Sequence, residues 1–145
     1  MTACVTREAI VQAARSWIGT PYHHQASCKG IGADCLGLVR GVWRDVFGGD
    51  AEVPPAYSRD WAEASGIETM LAGASRQLIR KDARDVAPGD VIIFRLHAGA
   101  VAKHSAVAAS GETMIHAMEG GGACEVALSA WWRRRIAAVF QFPGV

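Results

Sequence analysis

The segment Asp34-Cys35-Leu36-Gly37-Leu38-Val39-Arg40-Gly41 carries the strongest structural signal in this sequence. Asp34 is a good helix N-cap, and the apolar residues behind it recur at helical spacing until Gly48-Gly49, where a helix is predicted to end. Cys35 therefore falls in the first turn, where unpaired backbone N–H groups and the helix dipole favour a thiolate and can hold an oxyanion. A structural cysteine would more naturally lie mid-helix on the buried face, so Cys35 is a candidate nucleophile.

The region before this segment predicts another helix and a loop. Apolar side chains recur at helical spacing from residue 9 to residue 18, with Thr6 as a plausible N-cap and Gly19 at the end. The stretch 20–33 is interpreted as a glycine-bearing loop. A weaker helix is predicted over residues 59–72.

The second half of the chain changes to the pattern of short strands. Ala87-Pro88-Gly89-Asp90 is a turn signal, and an apolar run follows it. The predicted strands cover Val91–Phe94, 103–109, Thr113–Met118, 125–128 and 136–142. Helices first and strands afterwards predict an α+β fold, with N-terminal helices packed on an antiparallel sheet of about five strands. The length is that of a single domain, which we expect to span residues 1–145.

Composition narrows the classes of function. Half of the 145 residues are apolar and the formal net charge is +1, which predicts neither a nucleic-acid partner nor electrostatic binding to a membrane. The N-terminus lacks the apolar core of a signal peptide and no apolar run is long enough to span a bilayer, so we expect synthesis in the cytoplasm and no membrane insertion. The basic run 133–135, which follows Trp131-Trp132, is interpreted as a solvated helix end.

Two histidines are placed to act on a thiol. His104 and His116 lie six residues either side of Ser110 in a predicted hairpin. Residues equidistant from a hairpin turn are cross-strand neighbours, about 5 Å apart at Cβ. The two rings are therefore expected to meet on one sheet face, as a base and an imidazole that orients it. The alternative is that two surface histidines face each other by accident.

The remaining histidines and cysteines leave metal binding as a competing chemistry. His23 and His24 sit in the loop before Cys35 and are candidates to line its cleft. Cys28 and Cys35 are potential zinc ligands, but no spacing typical of a zinc site appears, so we expect no metal and no cofactor. The four cysteines are irregularly spaced and are expected to be reduced thiols.

Taken together, the motifs resemble those of the NlpC-type family of papain-like bacterial cell-wall cysteine peptidases. The resemblance rests on stretches that occur in the family's order and span nearly the whole chain. They are Gly19-Thr20-Pro21-Tyr22, Asp34-Cys35-Leu36-Gly37-Leu38, Pro88-Gly89-Asp90-Val91-Ile92-Ile93-Phe94, His104-Ser105-Ala106-Val107 and Met114-Ile115-His116-Ala117.

The resemblance implies a Cys-His-His triad, with Cys35 as nucleophile, His104 as general base and His116 as the third, polar member. It also implies that Tyr22 lines the site and that Asp34 contacts the substrate's amino group. His24 is placed with them as a substrate-binding residue. Such enzymes typically cleave the D-γ-glutamyl–diaminopimelate bond of peptidoglycan stem peptides.

One position departs from the family pattern. The family usually has serine after the catalytic cysteine, and this chain has Leu36. That serine helps some members recognise a free N-terminal alanine, so its loss argues against a recycling specificity for short free peptides.

A narrower resemblance points to the stand-alone peptidases of phage tails and gene transfer agents. It is carried by Trp17-Ile18-Gly19-Thr20-Pro21-Tyr22, His24-Gln25-Ala26-Ser27 and Cys35-Leu36-Gly37-Leu38-Val39-Arg40-Gly41. It implies phage-like tail proteins as partners and a particle that carries the enzyme to the wall of its next host. Three alternatives stay open: an N-acetylmuramoyl-L-alanine amidase on the same fold, a non-catalytic structural protein of a tail tip, and a cytosolic wall-recycling enzyme.

Overall fold

The computed structural model describes residues 4–51 and 68–145. In chain order the helices and strands are α1 (Arg7–Arg15), β1 (Ser27–Cys28), β2 (Gly32–Ala33), α2 (Cys35–Phe47), α3 (Thr69–Gln77), β3 (Ile79–Lys81), β4 (Val91–Phe94), β5 (His104–Ala108), β6 (Thr113–Met118), β7 (Gly122–Ala127), α4 (Ala130–Arg133) and β8 (Ile136–Gln141). The predicted α+β class, with helices first and strands afterwards, is confirmed.

Six strands form one antiparallel sheet in the order β3-β8-β4-β5-β6-β7, and β1 pairs with β2 in a separate small hairpin. The predicted sheet of about five strands lacked β3. Its sequence is only Ile79-Arg80-Lys81, and its side chains are largely exposed, so it carries no apolar pattern. It pairs with β8 at the edge of the sheet.

Apolar side chains cover both faces of the central strands. Residues such as Ile93 and Val107 face α1 and α2, and pack against Leu38 and Val42 of α2. The alternate residues, Ile92 among them, form a second buried cluster on the opposite face. This two-sided burial explains why the strands read as continuous apolar runs.

Helix α2 forms as predicted. The Asp34 carboxylate accepts a hydrogen bond from the Gly37 N–H at 2.7 Å, and Gly48 ends the helix in the left-handed conformation at φ 87°. A Cβ on Gly41 would lie 1.9 Å from the Trp17 ring, so glycine is required for α2 to approach this buried side chain. The N-terminal half of α2 is thus fixed against the rest of the core.

Helix α1 is shorter than predicted. Thr6 caps it, accepting a hydrogen bond from the Ala9 N–H at 3.0 Å, but the helix ends at Arg15 and residues 16–19 form turns. These turns still bury Trp17 while leaving Ile18 45% exposed, which is why the apolar spacing extended beyond the helix.

The weaker helix was predicted over 59–72. Residues 59–67 lie outside the described residues, and α3 begins at Thr69 and continues five residues beyond the predicted end, to Gln77.

The hairpin of β5 and β6 is present, but its register differs from the predicted one. Val107 pairs with Ile115 and Ala108 with Met114, which displaces the pairing by two residues from one centred on Ser110. Side chains alternate with a period of two, so an even displacement keeps His104 and His116 on the same face. The two are diagonal neighbours instead of directly opposite ones.

Within the described residues, no helix is long and apolar enough to cross a membrane.

Candidate active site

Cys35 lies where the start of α2 meets the start of β5. The Sγ atom is half-buried and contacts the Lys103 carbonyl oxygen at 3.7 Å. The buried Ser105 hydroxyl donates to the Cys35 carbonyl oxygen at 3.1 Å. Lys103 and Ser105, the residues before and after His104, therefore hold Cys35 beside β5.

The thiol is protonated in the resting site. Burial, followed by the negative charge of Asp34, raises the pKa of Cys35 to about 11. Hydrogen bonds from Ser105 and from the Leu36 backbone lower this pKa but do not offset the burial. The expectation that the helix start favours a thiolate is therefore wrong for the resting site: at neutral pH the sulfur needs a base.

His104 and His116 are brought together as predicted. His104 Nε2 lies 2.9 Å from His116 Nδ1, and the ring planes are nearly perpendicular at 79°. Both residues are buried, at 6% and 3% exposure. Burial, then the charge of His116, lowers the pKa of His104 to about 3, and burial lowers the pKa of His116 to about 4. Both rings are neutral at pH 7, and a single proton lies between them.

Two aromatic side chains that sequence reasoning missed surround this pair. Trp132 of α4 stacks on His104, with ring centroids 5.3 Å apart and planes at 28°. Phe94, at the end of β4, lies 5.9 Å from the His104 ring and 4.9 Å from Trp132. Phe94 belongs to the predicted strand Val91–Phe94, but no sequence pattern links this strand or α4 to the histidines. The basic run 133–135, interpreted as a solvated helix end, begins just after Trp132, and Arg133 and Arg134 are exposed.

Asp34 acts in the structure as a buried anchor for two backbone segments. One carboxylate oxygen holds Gly37 at the helix start, and the other accepts from the Gln25 N–H at 2.8 Å. Gln25 has φ 67°, in the left-handed region that side chains rarely adopt, so this bond holds a strained loop against the helix. His24 Nδ1 lies 4.0 Å from the same oxygen. Substrate binding by Asp34 and His24 stays a prediction.

Tyr22 is tied to the strand that leads into the cysteine. Its backbone forms an isolated bridge with Ala33, the residue before Asp34, and its side chain is partly buried. This places Tyr22 near the helix start, and its role towards a substrate stays a prediction.

Ser105 is a further site residue that sequence reasoning missed. It follows His104 on β5, so its side chain points to the face that α2 covers. This alternation, applied to the His104-Ser105 pair, would have found it.

In the described parts of the chain, no three potential metal-ligating side chains gather into a cluster.

Comparisons with known proteins identify the family of the chain. The model of the NlpC/P60 family matches residues 19–141. The chain therefore belongs to the NlpC/P60 family, a class of cysteine peptidases and hydrolases of peptidoglycan. Its fold is the papain-like fold of that family.

Individual relatives are distant in sequence. The chain is 26% identical over 121 residues to the probable endopeptidase NlpC of Escherichia coli (strain K12), covering 83% of this chain and 68% of that protein. The NlpC/p60 domain of peptidoglycan hydrolase SagA superposes with a TM-score of 0.69 at 23% identity, covering 95% of this chain and all of that domain. An NlpC/P60 family protein from Bacillus cereus ATCC 10987 gives a TM-score of 0.70 at 17% identity. The alignment covers 97% of this chain but only 41% of the Bacillus protein.

Proposed function

We propose that this protein is a cysteine endopeptidase of peptidoglycan stem peptides that works through Cys35, His104 and His116. The observation that carries the proposal is the buried bond from His104 to His116, next to the Lys103 carbonyl that the Cys35 thiol contacts. A neutral imidazole pair beside a protonated thiol is the arrangement that general-base activation of a nucleophile requires.

The first step is removal of the thiol proton by His104. The Nε2 atom of His104 is bonded to His116 Nδ1. The Nδ1 atom of His104 is therefore the nitrogen that accepts the thiol proton. This requires the tautomer in which Nε2 of His104 carries hydrogen and donates to His116. The same bond persists when His104 becomes an imidazolium, because both of its nitrogens then carry hydrogen.

The second step is attack of the thiolate on the scissile carbonyl carbon. Asp34 already occupies the N–H groups of Gly37 and Leu38, through its carboxylate and its carbonyl oxygen respectively. The Leu36 backbone bonds the Cys35 sulfur, which leaves the Cys35 amide as the earlier donor of this turn that stabilises the oxyanion.

The acyl-enzyme then forms and is hydrolysed. As the amide C–N bond breaks, the His104 imidazolium gives its proton to the leaving amine and a thioester remains on Cys35. Water attacks the thioester while His104 takes its proton. Collapse of the second intermediate releases the carboxylic acid and a thiolate, which is reprotonated by His104.

For the substrate, we propose the D-γ-glutamyl–diaminopimelate bond of the stem peptide. The support is the family to which the chain belongs and the resemblance of its motifs to that specificity. Leu36 in place of serine favours stem peptides within the polymer over short free peptides.

We further propose that the protein acts as a component of a phage or gene-transfer-agent tail, in the periplasm of the target cell. The support is the resemblance of Trp17-Ile18-Gly19-Thr20-Pro21-Tyr22 and of the segment around Cys35 to that subgroup. Fractionation of the producing culture tests this: the protein should sediment with tail-bearing particles, and recovery only in the free cytosolic fraction would contradict it.

Digestion of purified sacculi tests the activity and the bond together. We expect the wild-type protein to release fragments with a free D-glutamate γ-carboxyl and a free diaminopimelate amine, identified by mass spectrometry. Cys35→Ala should lower the rate by about a thousand-fold or more, because it removes the nucleophile. Cys28→Ala is the matched control, since it removes an exposed thiol from β1, in the small hairpin before α2.

The other outcomes separate the alternatives. Lysis by Cys35→Ala at the wild-type rate would eliminate the proposed nucleophile. Release of L-alanine N-termini would identify an amidase, and no release by the wild type would support a non-catalytic tail-tip protein.

A further inference from the structure

The Trp132 ring contacts the rings of both His104 and His116. It stacks on His104 with ring centroids 5.3 Å apart, and it meets His116 edge-on at 5.3 Å and 87°. Its other side packs against Phe94 at 4.9 Å. The imidazole pair is thus covered by two aromatic rings that come from different parts of the chain.

The position of Trp132 is fixed by the arginines that flank it. Arg133 donates to the Leu128 carbonyl at 3.0 Å and to the Gly111 carbonyl in the β5–β6 turn at 2.6 Å. Arg135 donates to the Leu96 carbonyl at 3.3 Å and to the Trp131 carbonyl at 2.8 Å. A helix of only four residues is in this way attached both to the hairpin that carries the histidines and to the end of β4.

The charges near the imidazole pair come from few directions. At the start of α2 the ionisable groups are the Cys35 thiol and the Asp34 carboxylate of the N-cap, and the charge that acts on His104 within the described residues is that of His116 on β6. The guanidinium groups of α4 and its C-terminal turn are directed to backbone carbonyls, as described for Arg133 and Arg135. On β4 the contacting residue is Phe94, which is uncharged. The aromatic cover is therefore the main feature of this side of the pair.

We propose that Trp132 is a positioning residue, which holds the His104 ring in the plane that directs Nε2 to His116 and Nδ1 to Cys35, and which excludes water from the bond between the two histidines. The proposal rests on the proposed function for its effect on rate. An indole stacked on an imidazole restricts rotation about χ2, which is otherwise a broad torsion. A His104 ring that turned over would present Cε1 and Cδ2 where the nitrogens are needed.

Replacement of Trp132 by leucine tests this role. We expect kcat on a defined stem peptide to fall by about 10- to 100-fold with KM nearly unchanged, since the loss is one of catalytic-base orientation. Entry of water should raise the pKa of His104 and move the acid limb of kcat/KM towards the ordinary histidine value. Trp132→Phe, which restores an aromatic face, should recover most of the rate.

Trp131→Ala is the matched control. Trp131 lies next in sequence and is 45% exposed, with Arg135 over its ring at 3.6 Å. Its ring meets that of Trp132 edge-on at 4.8 Å, so its loss removes one contact of Trp132 but leaves those with His104, His116 and Phe94. We expect kcat to change by no more than about threefold. An equal loss in Trp131→Ala and Trp132→Leu would overturn the proposal in favour of a general role of α4 in folding.

Nuclear magnetic resonance separates this proposal from the proposed function. In the unmodified protein we expect nuclear Overhauser effects between the Trp132 indole and the His104 ring, and ¹⁵N shifts of a single His104 tautomer with hydrogen on Nε2. Trp132→Leu should mix the tautomers. These readouts need no substrate, so they stand even if no stem peptide is cleaved. Absence of the Overhauser effects in the unmodified protein, or an unchanged tautomer and pH profile in a folded Trp132→Leu, would overturn the role of Trp132.

Discussion

Strand β4 joins two buried polar clusters of opposite character. Just before its first residue, Asp90 is fully buried and binds Arg7 and Lys81, each at 2.7 Å. At its last residue, Phe94 packs against His104 and Trp132. The buried polar groups there are two imidazoles, and in the described part of the chain they bond to each other and to no carboxylate. The first cluster keeps a charge inside the protein, and the second keeps its groups neutral.

The difference follows from what each cluster does. Asp90 also accepts a hydrogen bond from the Ala87 N–H at 2.8 Å, so its charge connects α1, β3 and the turn before β4. A permanent, compensated charge suits a structural junction, because its groups need never change state. The role proposed for His104 is that of a general base, which must change its charge during the reaction, and a neutral resting pair suits that role.

The largest effect that this comparison predicts is on folding. Asp90→Ala leaves Arg7 and Lys81 without their shared carboxylate, and we expect the free energy of unfolding to fall by about 3–5 kcal/mol. Equilibrium urea denaturation measures it. At temperatures where the variant is folded, sacculus digestion per folded molecule should stay close to wild type.

Asp82→Ala is the control for Asp90. Asp82 also pairs with an arginine, Arg84, at 2.8 Å, but both side chains are well exposed. We expect a much smaller loss than in Asp90→Ala, because solvent screens this exposed pair. Equal losses in the two variants would mean that burial does not distinguish the Asp90 cluster.

The second effect concerns the neutral cluster and pH. The folded-state pKa values of His104 and His116, about 3 and about 4, lie below the ordinary value of 6.5. The unfolded chain therefore binds protons first, so the stability contributed by the neutral rings is complete above pH 6.5 and is lost as pH falls towards the folded values. As the pH falls from 6.5 to 5.5, we expect the two rings together to lower the free energy of unfolding by about 2 kcal/mol.

A double variant isolates this contribution from the acid titration of the carboxylates. His104→Gln combined with His116→Gln should lose less stability over the same pH interval than the wild type. His23→Gln combined with His97→Gln, which removes two exposed histidines, should follow the wild type. If the free energy of unfolding fell equally with pH in all three proteins, the histidine pair would not be neutral in the folded state.

The sequence was sufficient to predict features that depend on residues close together in the chain. The Asp34 cap, the Gly48 terminus and the apolar run Val91–Phe94 each depend on neighbouring residues, and each is found as predicted. The His104–His116 contact was also predicted, although the register was wrong by two residues. An error of that size preserves the face of each side chain, so the contact survived it.

What could not be predicted depends on tertiary packing. Asp90 was recognised only as part of a turn, because its partner Arg7 lies 83 residues away. The stacking of Trp132 on His104 depends on where α4 docks, and no periodicity encodes this. The Cys35 pKa has the same origin: the helix start suggested a thiolate, but burial under β5 outweighs the helix.

The smallest predicted effect concerns Ser105, the residue after His104 on β5. Ser105→Ala removes the hydroxyl that bonds the Cys35 carbonyl, which should lower the free energy of unfolding by about 1 kcal/mol. When the thiolate forms, the single hydroxyl hydrogen turns from the carbonyl oxygen to the sulfur and opposes the rise that burial causes in the pKa of Cys35. Loss of the hydroxyl should therefore raise this pKa further. Alkylation of Cys35 by iodoacetamide should then be slower at any pH below the thiol pKa.

The alkylation rates are best compared in a background where the other three cysteines are serine, namely Cys4, Cys28 and Cys124. Ser16→Ala is the control, since it removes an exposed hydroxyl that donates to the Ala13 carbonyl on α1, far in sequence from the thiol. An alkylation profile of Ser105→Ala that matches the control would show that Ser105 only supports the helix start. A profile displaced to higher pH would show that β5 contributes to the chemistry through two adjacent residues, His104 on one face and Ser105 on the other.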